Sequence, residues 1–471
     1  MRHLVILSAL LLGLSGRLVA QEISLQACLQ YAHDNNVQIK QLGLNTEIAK
    51  INEKQSHQSR LPNLNGSFSY GGNLGRTVDP TTNSFQTQAS QASQINLTSS
   101  FVLYNGGQFK RTIEQRDLEL QLAQLQTNDF ANNLDLSILG AYLQILLSQE
   151  QLRVLERQAD LTQQQYNQMQ KMVNAGSLPA GNLLDINAQI ANDQLNQVNA
   201  RNSIDLAYSN LKQLLNRYDT FKIVRPVLPE PTANELAAYT PDAVYQNALA
   251  AQPSVKVSVL QTQIAEKRLA VTRTNQYPTV SLSGNFSTQY SSLSKNYEVS
   301  GINPTPILTN YFTQNFDSIY TFNPIISKKN IPIYTQWGDN LGGFLGLSVQ
   351  VPIFNQYQVK NGISLGKLNI ANARLNEELT RNNIRQQIEQ AYLNAKGAAE
   401  RYMATKANIE ALKNNLSFVQ KRYDLGLTNN LDYNTAKNNL TAAELNLESA
   451  KFEYFFRLRI LDYYQGKPLD F

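Results

Sequence analysis

One stretch decides the fold of this chain: residues 108–173 read QFKRTIEQRDLELQLAQLQTNDFANNLDLSILGAYLQILLSQEQLRVLERQADLTQQQYNQMQKMV. It contains no proline and a single glycine, Gly140. Apolar side chains recur every three or four positions, which is the spacing of one helical face. At 1.5 Å per residue the stretch predicts a rod of roughly 100 Å. A rod with so narrow an apolar seam needs helical partners along its whole length.

The composition indicates a polar surface that carries little charge. The 471 residues are enough for two or three domains. Only 16% of them are charged, and Asn, Gln, Ser and Thr take the remaining polar positions, which suits a wall facing water without a strong field. The formal net charge is +5, and no basic cluster is interleaved with aromatic residues. We therefore expect no nucleic-acid partner.

Residues 1–20 have the features of a secretory signal peptide. Arg2 and His3 precede the apolar run 4–14, and Leu18-Val19-Ala20 supplies small-residue cleavage chemistry after Ala20. The apolar run is too short to span a bilayer. Cys28 is the only cysteine, so no internal disulfide forms. It falls inside a helical pattern, which favours a buried helix cysteine over a lipidated one.

The mature chain reads as two structural repeats joined by a proline-containing linker. The first repeat covers residues 21–225, the linker 226–240 and the second repeat 241–471. Each half predicts helix, strand, loop, strand, long helix, turn and helix. The predicted helices are 25–60, 108–173, 183–215, 241–276, 355–424 and 431–461, and the strands are 63–70, 94–104, 279–290 and 344–354. A long polar loop, 291–343, separates the last two strands, and helix 183–215 has a predicted seam at Leu184, Ala188, Ala191, Leu195 and Val198.

The four strands alternate between polar and apolar residues over lengths that fit a transmembrane β-strand. The alternative is a soluble four-stranded sheet packed on helices. However, the strands join the far ends of rods, so no helix is left to cover them. Four strands cannot close a barrel, and lipid does not tolerate open sheet edges. Three copies would give a twelve-stranded barrel above a tube of helices, with C3 symmetry.

The residues at several junctions between helices and strands are similar to those of a known protein family. Leu61-Pro62 and Tyr277-Pro278 end helices before strands, and Phe101–Gln108 reads FVLYNGGQ, a strand-to-helix junction with a glycine pair. Residues 423–432 read YDLGLTNNLD before the last helix. With the twofold repeat, this ordered set resembles the TolC family of outer membrane efflux proteins. The second junction, Pro352–Tyr357, departs from the family by lacking the glycine pair.

The resemblance implies a fold that is mainly α with a membrane β-barrel, a homotrimeric channel-tunnel. The barrel would sit in the cell outer membrane and the helical barrel would extend into the periplasm. It would be a passive duct for drug efflux or type I secretion, docked to a periplasmic adaptor (membrane fusion) protein and to an inner-membrane RND pump or ABC transporter.

The same resemblance implies two sets of site residues at the periplasmic tips. The adaptor-docking set is Gly176, Ser177, Leu178, Gly426, Leu427 and Thr428. The periplasmic gate is Asp185, Tyr423 and Asp432, with the tyrosine bonded to an aspartate of the neighbouring hairpin. Threefold symmetry would bring three copies of Asp432 together, and such a carboxylate ring favours cations. The alternative is that Asp432 is only an early helix residue, favoured there by the helix dipole.

Two other functions compete with an export duct: a passive outer membrane porin and a coiled-coil structural protein of the envelope. Rods of roughly 100 Å disfavour a porin, which has short periplasmic turns. Alternating strands and a secretory leader disfavour a filament. The sequence contains no H-x-x-x-H, C-x-x-C, phosphate loop or nucleophile elbow. We therefore expect no enzyme activity, no cofactor and no metal.

Overall fold

The computed structural model describes residues 21–78, 83–177, 179–231, 235–425, 427–428 and 430–469. The predicted signal peptide, 1–20, lies outside these residues, as do the predicted docking residues Leu178 and Gly426. The chain is mainly helical, with one four-stranded sheet and several two-stranded ones.

Helices occupy most of the described chain, and two of them, α3 and α8, have 67 residues each. The helices are α1 Leu25–Asn35, α2 Val37–Gln58, α3 Gln108–Asn174, α4 Asn182–Leu215, α5 Pro241–Ala251, α6 Pro253–Thr274, α7 Ile333–Asp339, α8 Gln358–Asp424 and α9 Asn430–Tyr464. The predictions of both long helices, and of α4 and α9, are therefore confirmed within a few residues. By length and composition alone α3 could cross a membrane, and 44% of its apolar window is buried within the chain.

The predicted single helices 25–60 and 241–276 are wrong, because each is broken into two. Asn36 and Gln252 interrupt them with extended backbone, at ψ 124° and 125°. Both side chains are buried, and each donates to a carbonyl at the end of a returning helix. Asn36 Nδ2 lies 3.0 Å from Leu214 O, and Gln252 Nε2 lies 2.8 Å from Tyr463 O. The amide side chain gains a buried partner there, which favours the break over a continuous helix.

The strands were predicted in the correct places, with longer or shorter ends. They are β1 Gln21–Ile23, β2 Asn63–Asn73, β3 Arg76–Val78, β4 Phe85–Thr87, β5 Ser90–Asn105, β6 Phe221–Ile223, β7 Thr279–Ser291, β8 Lys295–Ile302, β9 Ile307–Phe312, β10 Ser318–Thr321, β11 Pro324–Asn330 and β12 Gly342–Gln350. The loop 291–343 is not featureless, because β8 pairs with β11, β9 pairs with β10, and α7 follows.

The main sheet is antiparallel, in the order β12-β7-β5-β2. Its register brings apolar residues of all four strands onto one face: Phe68 is opposite Ile95, Leu97 opposite Phe286, and Leu282 opposite Leu347. The other face carries Asn and Ser at the alternate positions, because successive side chains of a strand point to opposite faces. The sheet is therefore apolar on one side and largely polar on the other.

A register shift between Val102 and Tyr104 corrects one predicted side-chain position. Tyr104 is opposite Val280 and Val102 is opposite Ser281, which leaves Leu103 as the extra residue of a bulge. Strict alternation from Phe101 would place Leu103 on the apolar face, but the shift puts Tyr104 in register with that face. Sequence alternation alone cannot locate an inserted residue.

The chain contains two compact units, and each contains residues from both predicted repeats. One unit holds residues 52–116 and 267–367, with the main sheet. The other holds residues up to 51, 117–266 and 368 onward, and its core clusters contain α1, α3 and α4 with β1 and β6, and α5, α8 and α9. Cys28 is fully buried in this core, and burial raises the pKa of its thiol to about 11. Cys28 is thus a buried helix cysteine.

Candidate functional site

The first hairpin tip, between α3 and α4, is a helix C-cap followed by a tight turn. Gly176 adopts a φ of +73°, which is open to glycine without strain. Ser177 N donates to Met172 O at 2.9 Å, and Gly176 N donates to Val173 O at 2.9 Å. This is the Schellman arrangement, which satisfies carbonyls that the last helical turn leaves free. Asp185 follows in the first turn of α4, and it is exposed.

The second tip, between α8 and α9, shares the same closing hydrogen bond. Leu427 N donates to Arg422 O at 2.8 Å, five residues back, as Ser177 N does to Met172 O. Arg422 also reaches forward, and its Nη2 donates to Leu427 O at 3.2 Å. Arg422 therefore bonds both the N–H and the carbonyl of Leu427.

Apolar side chains stand in water at this second tip. Leu427 is 63% exposed and Leu425 is 73% exposed. A single exposed leucine is ordinary, whereas two exposed leucines at one hairpin end form a small exposed apolar patch. Four of the predicted docking residues lie at these described tips: Gly176, Ser177, Leu427 and Thr428.

Tyr423, predicted for the gate, lies in the last turn of α8 and stacks on Tyr433 of α9. The two ring centroids are 5.3 Å apart at an interplanar angle of 19°. Within the described part of this chain no hydrogen bond joins Tyr423 to Asp185. The predicted tyrosine–aspartate bond was between neighbouring hairpins, so it stays a prediction. Sequence reasoning missed Tyr433, although its place one helical turn into α9 opposite Tyr423 could have signalled the stack.

Asp432 lies in the first turn of α9 and accepts a hydrogen bond from Thr428 Oγ1 at 2.8 Å. This bond links a predicted docking residue to a predicted gate residue. A carboxylate here is also favoured by the positive end of the helix dipole. The geometry thus fits the early-helix role of Asp432, and it also fixes the carboxylate at the tip.

A buried polar pair inside the first hairpin was not predicted. Thr162 Oγ1 of α3 donates to Asp193 Oδ2 of α4 at 2.6 Å, and Gln189 Nε2 donates to Asp193 Oδ1 at 2.8 Å. Thr162 and Asp193 are 3% and 4% exposed. A buried carboxylate with both oxygens bonded fixes the register of the two helices. The predicted seam residues Leu184, Leu195 and Val198 of α4 are exposed within this single chain.

Among the described residues, no group of three or more His, Cys, Asp or Glu side chains is placed to hold a metal ion.

Comparison with known proteins identifies relatives over nearly the whole chain. A family model described as outer membrane efflux protein matches residues 28–217 and 244–454. The outer membrane protein TolC of Escherichia coli strain K12 is 22% identical over 455 residues, which is 94% of this chain and 82% of that protein. TolC of Salmonella enteritidis is likewise 22% identical, over 97% of this chain and 84% of that protein.

Solved structures share the fold. The CmeC outer membrane channel of Campylobacter jejuni superposes with a TM-score of 0.71 at 17% identity, covering 94% of this chain and 85% of that one. The open state of the MtrE outer membrane channel of Neisseria gonorrhoeae gives a TM-score of 0.68 at 17% identity, covering 95% and 89%.

Proposed function

The chain belongs to the outer membrane efflux protein family and acts in export at the outer membrane, and we propose that three copies of it close into a passive export duct. In this proposal the twelve-stranded barrel lies in the membrane and the helical barrel extends into the periplasm. The two repeats, 21–225 and 241–471, supply equivalent parts of the wall on either side of the linker 226–240. The duct docks to a periplasmic adaptor and, through it, to an inner-membrane RND pump or ABC transporter.

The single observation that carries this proposal is the main sheet with its two open edges. Strands β2 and β12 each pair on one side only, and nearly all their residues are exposed. One face of the sheet is apolar across all four strands. Lipid requires every backbone group to be paired, so such a sheet is stable in a bilayer only when its edges join those of other copies.

Exposed apolar columns on the helices support the same assembly. Leu184, Leu195 and Val198 on α4 are 71%, 57% and 59% exposed, and Leu44, Ile48 and Ile51 on α2 follow helical spacing with 67%, 56% and 63%. Such stripes need a partner helix. In the proposed assembly, a neighbouring copy of the chain would supply a partner helix along each column. Neither a monomeric porin nor a coiled-coil filament would account for both the exposed helix columns and the open sheet edges.

The tips are the docking and gating end of the proposed duct. Gly176, Ser177, Leu178, Gly426, Leu427 and Thr428 form the adaptor-docking set. Asp185, Tyr423 and Asp432 form the gate, in which the tip tyrosine of one hairpin bonds the aspartate of its neighbour and three Asp432 carboxylates line the constriction. The exposed leucines and the Thr428–Asp432 hydrogen bond support this assignment.

The docking role is tested by Leu427→Asp in cells that depend on this protein for export. A charge on an apolar contact surface opposes docking, so we expect trimers in the outer membrane but no export. Leu74→Asp is the matched control, because Leu74 is 89% exposed and follows β2, away from the tips. Normal export by the Leu427 variant, or equal loss in both variants, would reject the docking role.

A further inference from the structure

Charge is distributed unevenly around the main sheet. The strand segments 63–70, 94–105, 279–290 and 344–354 contain no Lys, Arg, Asp or Glu. The segments that join these strands to helices are very different. We name residues 52–62, 106–116, 267–278 and 355–367 together the basic collar, and they contain ten Lys or Arg against two Asp or Glu. The whole chain has 41 basic against 36 acidic residues, so the collar holds an excess larger than that of the chain.

The opposite ends of the same strands provide an internal comparison. Residues 71–93 and 291–343 connect the strands there, and they contain four basic and four acidic residues. The excess of positive charge is therefore a property of one end of the sheet. A general preference for basic residues beside strands would have produced it at both ends.

At least half of the basic side chains of the collar are accessible and form no ion pair within the described residues. Lys54, Arg60, Lys110, Arg273 and Lys360 are exposed. Within the described residues, no carboxylate forms an ion pair with any of these five.

The two acidic residues of the collar contact side chains other than these five cations. Glu53 lies 2.9 Å from His57, and Glu114 lies 2.8 Å from Lys267. The five exposed cations above therefore have no ion-pair partner among the described residues.

Exposed aromatic residues accompany these cations. Tyr277 is 53% exposed, Phe354 72% and Tyr357 58%, and Lys360 Nζ lies 5.4 Å from the centroid of the Tyr357 ring. Tyrosine and tryptophan belts mark the level of lipid headgroups at membrane surfaces. Basic residues next to such a belt are the pattern that attracts anionic headgroups.

We propose that the basic collar binds the anionic headgroups of glycerophospholipids in the periplasmic leaflet of the outer membrane. The proposal rests on the proposed duct, because that duct fixes which end of the sheet faces the periplasm. The phosphate groups of lipopolysaccharide lie in the outer leaflet. That leaflet is at the opposite end of the sheet, where residues 71–93 and 291–343 carry equal numbers of basic and acidic residues. Bound headgroups would hold the barrel at a fixed depth, where the uncharged strands match the hydrocarbon.

No single segment of the sequence reveals this surface, because each carries only two or three basic residues. Strand pairing brings the four segments to the same end of one sheet. Each basic residue near an anionic surface contributes roughly a fivefold gain in binding, so four together suffice for a marked preference.

The test measures binding of fluorescent-tailed phosphatidylglycerol and phosphatidylcholine to the purified full-length protein in non-ionic detergent. The quadruple variant Arg60→Gln, Lys110→Gln, Arg273→Gln, Lys360→Gln removes four collar charges. The matched control, Arg76→Gln, Lys295→Gln, Lys328→Gln, Lys329→Gln, removes four charges at the opposite end. We expect the protein and the control to bind phosphatidylglycerol at least about tenfold more tightly than phosphatidylcholine. The collar variant should lose most of this preference, because four exposed cations without an ion pair are removed.

Two results would overturn the proposal: equal binding of both lipids by the unaltered protein, or an equal loss of phosphatidylglycerol preference in the collar variant and in the control. If the collar variant fails to fold, the unaltered protein still tests the proposal. Its preference for phosphatidylglycerol over phosphatidylcholine must decrease as the salt concentration rises from about 50 to about 500 mM, because salt screens the attraction between charges. Conductance in phosphatidylcholine bilayers separates the two proposals. A conducting channel without lipid preference rejects the collar and leaves the duct intact.

Discussion

At the residue scale, two neighbouring glycines of the first strand-to-helix junction are required for different structural reasons. Gly106 and Gly107 both have positive φ, 64° and 82°. A Cβ on Gly106 would lie 2.6 Å from Tyr277 Cβ and 3.0 Å from Thr274 O, whereas one on Gly107 would meet nothing within 4 Å. Gly107 is needed for its backbone conformation alone, and Gly106 is needed for close packing as well.

We therefore predict that Gly106→Ala lowers thermal stability more than Gly107→Ala. Each variant forces alanine into the left-handed region, at a cost of about 1–2 kcal/mol, and Gly106→Ala adds steric overlap with Tyr277. Thermal unfolding of the two purified variants in the same detergent measures the difference. Equal melting temperatures would mean that the close approach to Tyr277 carries no energetic weight.

The second junction shows how the same backbone arises from other residues. Gln356 and Tyr357 have φ of 53° and 61°, and Asn361 N donates to Tyr357 O at 2.9 Å, as Arg111 N does to Gly107 O at 3.2 Å. The missing glycine pair suggested a different junction from sequence, but the left-handed pair is present. A motif search finds the glycines and cannot find a strained backbone that lacks them.

The proposed role of Asp432 in the gate can be tested with a single substitution. If Asp432 lines the pore, Asp432→Ala should lower cation preference and reduce block by trivalent cations in planar bilayers, because a ring of carboxylates is lost. The control is Thr428→Val, which removes the hydrogen bond to Asp432 and keeps the carboxylate. Wild-type selectivity in the Asp432 variant would identify the residue as a helix cap instead.

At the element scale, the paired breaks at Asn36 and Gln252 shape the helices that lead into the sheet. Periodicity predicted continuous helices because the apolar spacing carries across each break. What ends them is a buried amide that bonds a carbonyl far away in sequence, 178 residues on for Asn36 and 211 for Gln252. Local pattern cannot report such a partner. The long helices α3 and α8 were predictable because their pattern is long and uninterrupted.

We predict that Asn36→Ala destabilises the helical unit by about 1–3 kcal/mol, the cost of a buried carbonyl left without its donor. Asn36 Oδ1 also accepts from Gln38 N at 2.9 Å, so the start of α2 loses its cap. Asn35→Ala is the control, since Asn35 donates only within its own helix, to Tyr31 O. Chemical denaturation of both variants measures the effect, and equal stability would contradict it.

At the scale of the whole molecule, a single chain leaves several surfaces without a partner, and association with further copies in a membrane would cover all of them. Two sheet edges, an apolar sheet face and apolar columns on α2 and α4 are all exposed. The sequence could predict the alternation of the strands, but the strand order and the four-strand register needed the structure. The proposed closure of three copies in the membrane would cover the apolar surface that one chain leaves exposed.

The closure of the duct by three copies is tested most directly by electron cryomicroscopy of the protein in lipid nanodiscs. We expect a ring of three chains with twelve strands in the disc, in which β2 of each chain pairs with β12 of its neighbour. A folded single chain in the disc, or a ring in which β2 and β12 stay unpaired, would contradict the proposal.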